Sequence, residues 1–146
     1  MKHKLQRNGN PTPAACYDVA AALENALKKY PDMELNMVEP IVQADHHPCG
    51  TIHCHAGAYL IGAQELEKGK SYDFKQGAEL MAHNLGFTSK DALSLWADKN
   101  PKIWGSIFGR GMFSYSRAFN RAWNISQIAE WWRNVGIRIE ADNLLN

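Results

Sequence analysis

Thr12-Pro13 opens, and Pro31 closes, a stretch from Ala14 to Lys29 that contains no internal glycine or proline and ends on two lysines. A threonine hydroxyl accepts an otherwise unpaired backbone N–H at a helix start, and proline suits the first helical position because no N–H is needed there. Lysines in the last turn face the negative end of the helix dipole. This spacing predicts a helix over 13–29. Comparable punctuation divides most of the remaining chain. Ile52, Ala56, Tyr59, Ala63 and Leu66 recur on one face at about 100° per residue, predicting a helix from Gly50 or Thr51 to about Lys68, ended by Gly69. Ala56, Gly57, Ala58 and Gly62 give it small positions where a neighbouring backbone could approach. Phe74 to Leu85, stopped by Gly86, and Ser89 to Lys99, stopped by Asn100-Pro101, read as a helical hairpin. Met112, Tyr115, Phe119 and Trp123 form an apolar helical stripe with Arg117 and Arg121 nearly opposite. A last helix is expected from a cap at Asn124 or Ser126 to Asn134, closed by Gly136. Only Met33, Leu35 and Met37 alternate as an extended segment would, and Pro40 and Pro48 bracket irregular chain.

These signals predict a mainly α fold of five or six helices, with a long irregular connection before a central helix. A chain of 146 residues, 45% of them apolar, is the size of one compact domain with a substantial core. The expected division is a flexible N-terminus over 1–12 and a single helical domain over 13–146. No run of 18 or more apolar residues is present, and the basic Met1 to Arg7 leads into Asn8-Gly-Asn-Pro-Thr-Pro13 instead of an apolar secretory core. The expectation is a cytoplasmic protein without a membrane partner. Three cysteines, with Cys16 far from the other two, favour reduced thiols over a disulfide framework.

Chemistry concentrates in one place. His46, His47, Cys49, His53, Cys54 and His55 fall within ten residues. With Gly50 as helix cap, Cys49 and Cys54 occupy the two positions that touch in a hydrophobic staple, and cysteine packs as a small apolar residue. A structural loop-to-helix joint, with Thr51 helping to cap, accounts for both thiols. The rival is zinc, for which thiolate and neutral imidazole are good ligands. His53 and His55 point about 200° apart on a helix and cannot readily grip one ion, so the metal candidates are His46, His47, Cys49, Cys54 and His55. Cys49-x4-Cys54-His55 is a stretched form of the haem-attachment sequence, but that chemistry requires export. A thiol nucleophile at Cys54 would gain from a helix N-terminus, yet no oxyanion site accompanies it.

Cys49-Gly-Thr-Ile-His-Cys54-His-Ala-Gly57, followed by Leu85-Gly-Phe87 and Leu95-Trp96, resembles a group of small bacterial and phage proteins that carry C-G-T-x-x-C-x-A-G, an L-G-L-like turn and an L-F pair. The similarity spans the middle third of the chain. Ala58 stands where that group has an aromatic residue, and Trp96 replaces its phenylalanine. The resemblance implies no particular activity. It does imply that Cys49, Gly50, Thr51, Cys54 and Gly57 are the motif and that His53 and His55 fill variable positions, which favours the structural joint over a metal site.

From Pro101 onward there are six Lys or Arg against three Asp or Glu, and eight of the fifteen aromatic residues. Such a mixture can bind nucleic acid through phosphate contacts and base stacking. The aromatic stripe, however, faces away from Arg117 and Arg121, which fits a core and a solvated face better. His83, late in its helix, complements the dipole without a ligand role. Trp131 and Trp132 differ by about 100° in direction, so one is expected to be partly exposed or to pack on a second copy. Taken together, the sequence favours a binding or interaction module over an enzyme, with no cofactor expected. Its partner would be another protein or itself; zinc at the Cys/His cluster and nucleic acid at the C-terminal third are the alternatives.

Overall fold

The structure, a computed structural model, describes residues 2–29, 59–60, 62–63, 74–104 and 125–145. The regular elements among them are all helical: α1 (Pro13–Lys29), α2 (Phe74–Leu85), α3 (Lys90–Lys99), α4 (Pro101–Trp104) and α5 (Ile125–Leu145). Residues 59, 60 and 62 are also helical, inside the span predicted for the central helix. The two ends of that helix, the extended segment over 33–37 and the amphipathic stripe over 112–123 lie outside the described residues.

Local chemistry sets the helix boundaries. Thr12 Oγ1 accepts the N–H of Ala15 at 3.2 Å, capping α1. Gly86 takes φ +109, open to glycine at no steric cost. There Phe87 N–H donates to Ala82 O (2.9 Å) and Gly86 N–H to His83 O (3.0 Å), the paired bonds of a Schellman ending. The turn also returns Phe87 to the core, where its ring lies 5.8 Å from that of Trp96. Ser89 caps α3 by accepting from Ala92 N–H at 3.1 Å. At the other end Asn100 Nδ2 donates to Trp96 O at 2.8 Å, and Pro101 starts α4.

The described helices share one hydrophobic core, and α1 against α5 is its largest inter-helix contact. Ala15, Cys16, Val19, Ala20, Ala22, Leu23 and Ala26 form the inner face of α1. Most of these side chains are small, so α5 approaches closely and supplies the bulk: Ile128, Trp131, Trp132, Val135 and Ile139 are all buried. Truncating a fully buried tryptophan such as Trp132 costs about 3–5 kcal/mol. Across the same interface Tyr17 Oη donates to Glu140 Oε1 at 2.8 Å, and Arg133 pairs with Glu24.

Two expectations are corrected here. Helix α5 does not close at Gly136 but runs through it to Leu145. A Cβ at Gly136 would lie 2.5 Å from Tyr17 Cε1, so glycine stands there to admit the tyrosine ring, not to end the helix. Trp131 and Trp132 are both buried, 5% and 0% exposed, with their rings edge to face at 5.2 Å. The buried positions of α5 span an arc of about 160° at 100° per residue, wide enough to include two neighbours. An exposed tryptophan therefore gives no basis for self-association. Residues 2–12 pack along the helices. His3 N–H donates to Asn84 O (2.9 Å), Leu5 packs on the core, and buried Asn10 accepts from Trp96 Nε1 at 2.9 Å. Gly86 permits this approach, because a Cβ there would lie 2.8 Å from Leu5 N.

Two glycines that both touch α1 should respond differently to a methyl group. A Cβ at Gly62 would meet the backbone oxygen of Ala22 at 1.5 Å, which no side-chain rotation relieves. Gly62→Ala should cost about 3 kcal/mol, the upper end of overpacking, against about 1 kcal/mol gained in helix propensity. At Gly136 the obstacle is a tyrosine ring that can swing away, losing one hydrogen bond worth about 1 kcal/mol and recovering a similar amount in propensity. Urea unfolding should find Gly136→Ala within about 1 kcal/mol of wild type and Gly62→Ala far below it. Equal costs would contradict this account of the two contacts.

Candidate functional site

His46, His47, Cys49, Cys54 and His55, the residues that sequence chemistry singles out, lie outside the described residues together with His53. Among the described residues, no group of three or more His, Cys, Asp or Glu is placed to hold a metal ion. Cys16 is a free thiol at 0% exposure on the inner face of α1. Burial pushes its pKa up to about 12, because the thiolate would lose its hydration inside the core. A thiol so buried is a packing group rather than a nucleophile. His83 donates from Nε2 to Thr88 O at 2.9 Å, a bond that ties the α2–α3 turn.

The described residues converge instead on a cleft of about 260 Å³ between the N-terminal segment, α1, the helical residues near 60 and α2. Its construction begins at Asn84, which links three of these segments. Its backbone oxygen receives His3 N–H, and its Nδ2 donates to Tyr59 Oη at 2.5 Å. Held in this way, His3 reaches across to α1, where Nε2 donates to Asp18 Oδ2 at 2.6 Å. Asp18, Ala21, Ala22 and Asn25 recur on one side of α1, beside the buried stripe. Gly62 and Ala63 stand opposite them, and the close approach of Gly62 to the Ala22 carbonyl sets the distance between the walls.

The result is an apolar floor of small side chains with polar groups around the rim. Among the described lining residues Asp18 is the carboxylate, His3 is its hydrogen-bond partner, and no lysine, arginine or glutamate is present. Asp18 is 59% exposed and His3 17%, so the carboxylate meets solvent while the imidazole is largely covered. Such a cleft has the concavity and convergent polar groups of a small-ligand site, near the lower end of the usual size range. Sequence reasoning singled out none of His3, Asp18 and Asn25. Their meeting depends on the path of residues 2–12 across Gly86, which no periodicity encodes.

Comparison with known proteins finds no family model that matches the chain, and no curated protein or solved structure that does so. Among the described residues, no helix is long and apolar enough to cross a membrane.

The buried thiol has a consequence for pH. The folded-state pKa of Cys16 lies above the ordinary value of 9.0, so the unfolded chain releases its proton first as pH rises. Stability from this group is fully present below about pH 9 and is lost as pH climbs toward 12, at up to about 1.4 kcal/mol per pH unit. Tyr17, whose pKa is raised by its hydrogen bond to Glu140, by burial and by the Glu140 charge, acts in the same direction at higher pH. Urea unfolding between pH 8 and 11 should show stability falling, with Cys16→Ala flattening the slope although it lowers stability at pH 8. Identical slopes for the two proteins would show that Cys16 does not carry the effect.

Proposed function

We propose that this chain is a small helical binding module, working in the cytoplasm without catalysis, whose ligand site is the cleft beside α1. The observation that carries this reading is the convergence of His3, Asp18, Asn25, Tyr59 and Asn84, drawn from separate segments of the chain, on one concave, alanine-floored surface. Polar side chains from remote positions gather in this way where a ligand must be oriented, and the small floor leaves room for its apolar part. Cys16, lying against the core behind this wall, contributes packing and no chemistry. A fragment screen read by amide chemical shifts should give saturable changes centred on Asp18, Asn25 and Asn84. Ala21→Phe, at an exposed position on the cleft wall, should abolish those changes without altering the melting temperature. Shifts scattered over the surface, or unaffected by Ala21→Phe, would contradict the assignment.

A second reading rests on the crowding of six ligand-type side chains between His46 and His55. In it, Cys49 and Cys54 hold zinc with His55 and one of His46 or His47, and the metal stabilises the fold because its ligands come together only in the folded state. Protein purified without a histidine tag should then contain near-stoichiometric zinc, and Cys49→Ala with Cys54→Ala should release it and lower the melting temperature together. Absence of metal alongside three free thiols would leave the structural loop-to-helix joint as the role of these cysteines.

A further inference from the structure

The charges and spacing in the cleft define its ligand more closely. We infer that it takes a short aliphatic amine, bound as the ammonium ion and bearing a second polar group at its far end; this rests on the cleft being the binding site. Among the described lining residues Asp18 is the carboxylate, and no lysine or arginine opposes a cation. His3 engages Asp18 through Oδ2 alone. A carboxylate has about four lone-pair positions on two oxygens, so one imidazole leaves capacity for an ammonium donor. With Asp18 59% exposed, a ligand can reach it from solvent.

Asn25 follows Asp18 by seven residues, two helical turns, and so lies on the same side of α1 about 10 Å farther along the axis. Its carboxamide both donates and accepts, and so suits a hydroxyl, an amide or a second amine. Between these two anchors the wall is Ala21 and Ala22, faced by Gly62 and Ala63. A methylene chain fits along such a surface, where a branched or aromatic body would need larger recesses. The ligand class follows from this order of charge, apolar floor and carboxamide.

Three probes of matched length separate charge from shape: cadaverine, pentane-1,5-diol and glutarate, each titrated into the full chain at low salt and followed by amide shifts. Cadaverine should bind saturably at Asp18 and Asn25, weakly enough for fast exchange, and more weakly as salt is raised, because an exposed carboxylate is screened. Asp18→Asn should weaken binding about tenfold, the loss of one modest charge interaction. Asn25→Asp, at an exposed position that tolerates exchange, should strengthen it by placing a carboxylate under the second ammonium. The second variant keeps the test decisive even if Asp18→Asn disturbs the His3 contact. If the diol or glutarate shifts the same residues equally well, the amine assignment falls while the cleft stands as a ligand site of other chemistry. If none of the three perturbs the cleft, the amine assignment falls, and the broader fragment screen decides the binding reading separately.

Discussion

Helix α1 can lie flat against α5 because its inner face is built largely of alanine, with Cys16, Val19 and Leu23 between. Small side chains bring two backbones close, and the bulky residues of α5 then fill the space beside them. The geometry runs both ways: α5 gives up its own side chain at Gly136 where Tyr17 crosses, and Tyr17 repays the close approach by bonding Glu140 one turn farther on. The other face of α1 meets Gly62 at the Ala22 carbonyl. α1 is therefore a helix approached from two sides, and its position determines where every neighbouring segment comes to rest.

The cleft follows from that arrangement. Once α1 and the residues near 60 are fixed by Gly62, the remaining walls depend on how residues 2–12 cross the end of α2. Gly86 supplies both needs there: a positive φ that closes the helix, and the missing Cβ that lets Leu5 pass. Asn10, buried and bonded to the Trp96 indole, anchors the far end of the segment against α3. His3 is thus held at Asp18 by its backbone bond to Asn84 as well as by its side-chain hydrogen bond. The polar rim is a product of packing.

Much of this fold was legible in the sequence wherever a local signal had one meaning. Thr12-Pro13, Gly86, Ser89 and Asn100-Pro101 mark the ends of α1, α2 and α3 as expected, because caps act within a single turn and owe little to the rest of the chain. Gly136 misled because a glycine serves equally well as a helix stop and as a gap for another residue, and only the Tyr17 ring distinguishes the two. The tryptophan pair misled because neighbouring side chains, though about 100° apart, both fit inside a wide buried arc. His3, Asp18 and Asn25 were invisible as a site because the contact between His3 and Asp18 spans fifteen residues through an irregular segment with no period to read. The Cys/His cluster was the loudest chemical signal, and its residues lie outside those described.

The central claim is that α1 and α5 form one cooperative unit on which the rest is assembled. Native-state hydrogen exchange tests it most directly. The account predicts that amides in the buried middle of both helices, Val19 to Ala26 and Trp132 to Ile139, exchange only through global unfolding, with the same free energy and the same denaturant dependence. If α1 amides opened at markedly lower free energy while α5 stayed protected, α1 would be an attachment to the core rather than part of its foundation, and the account would be wrong.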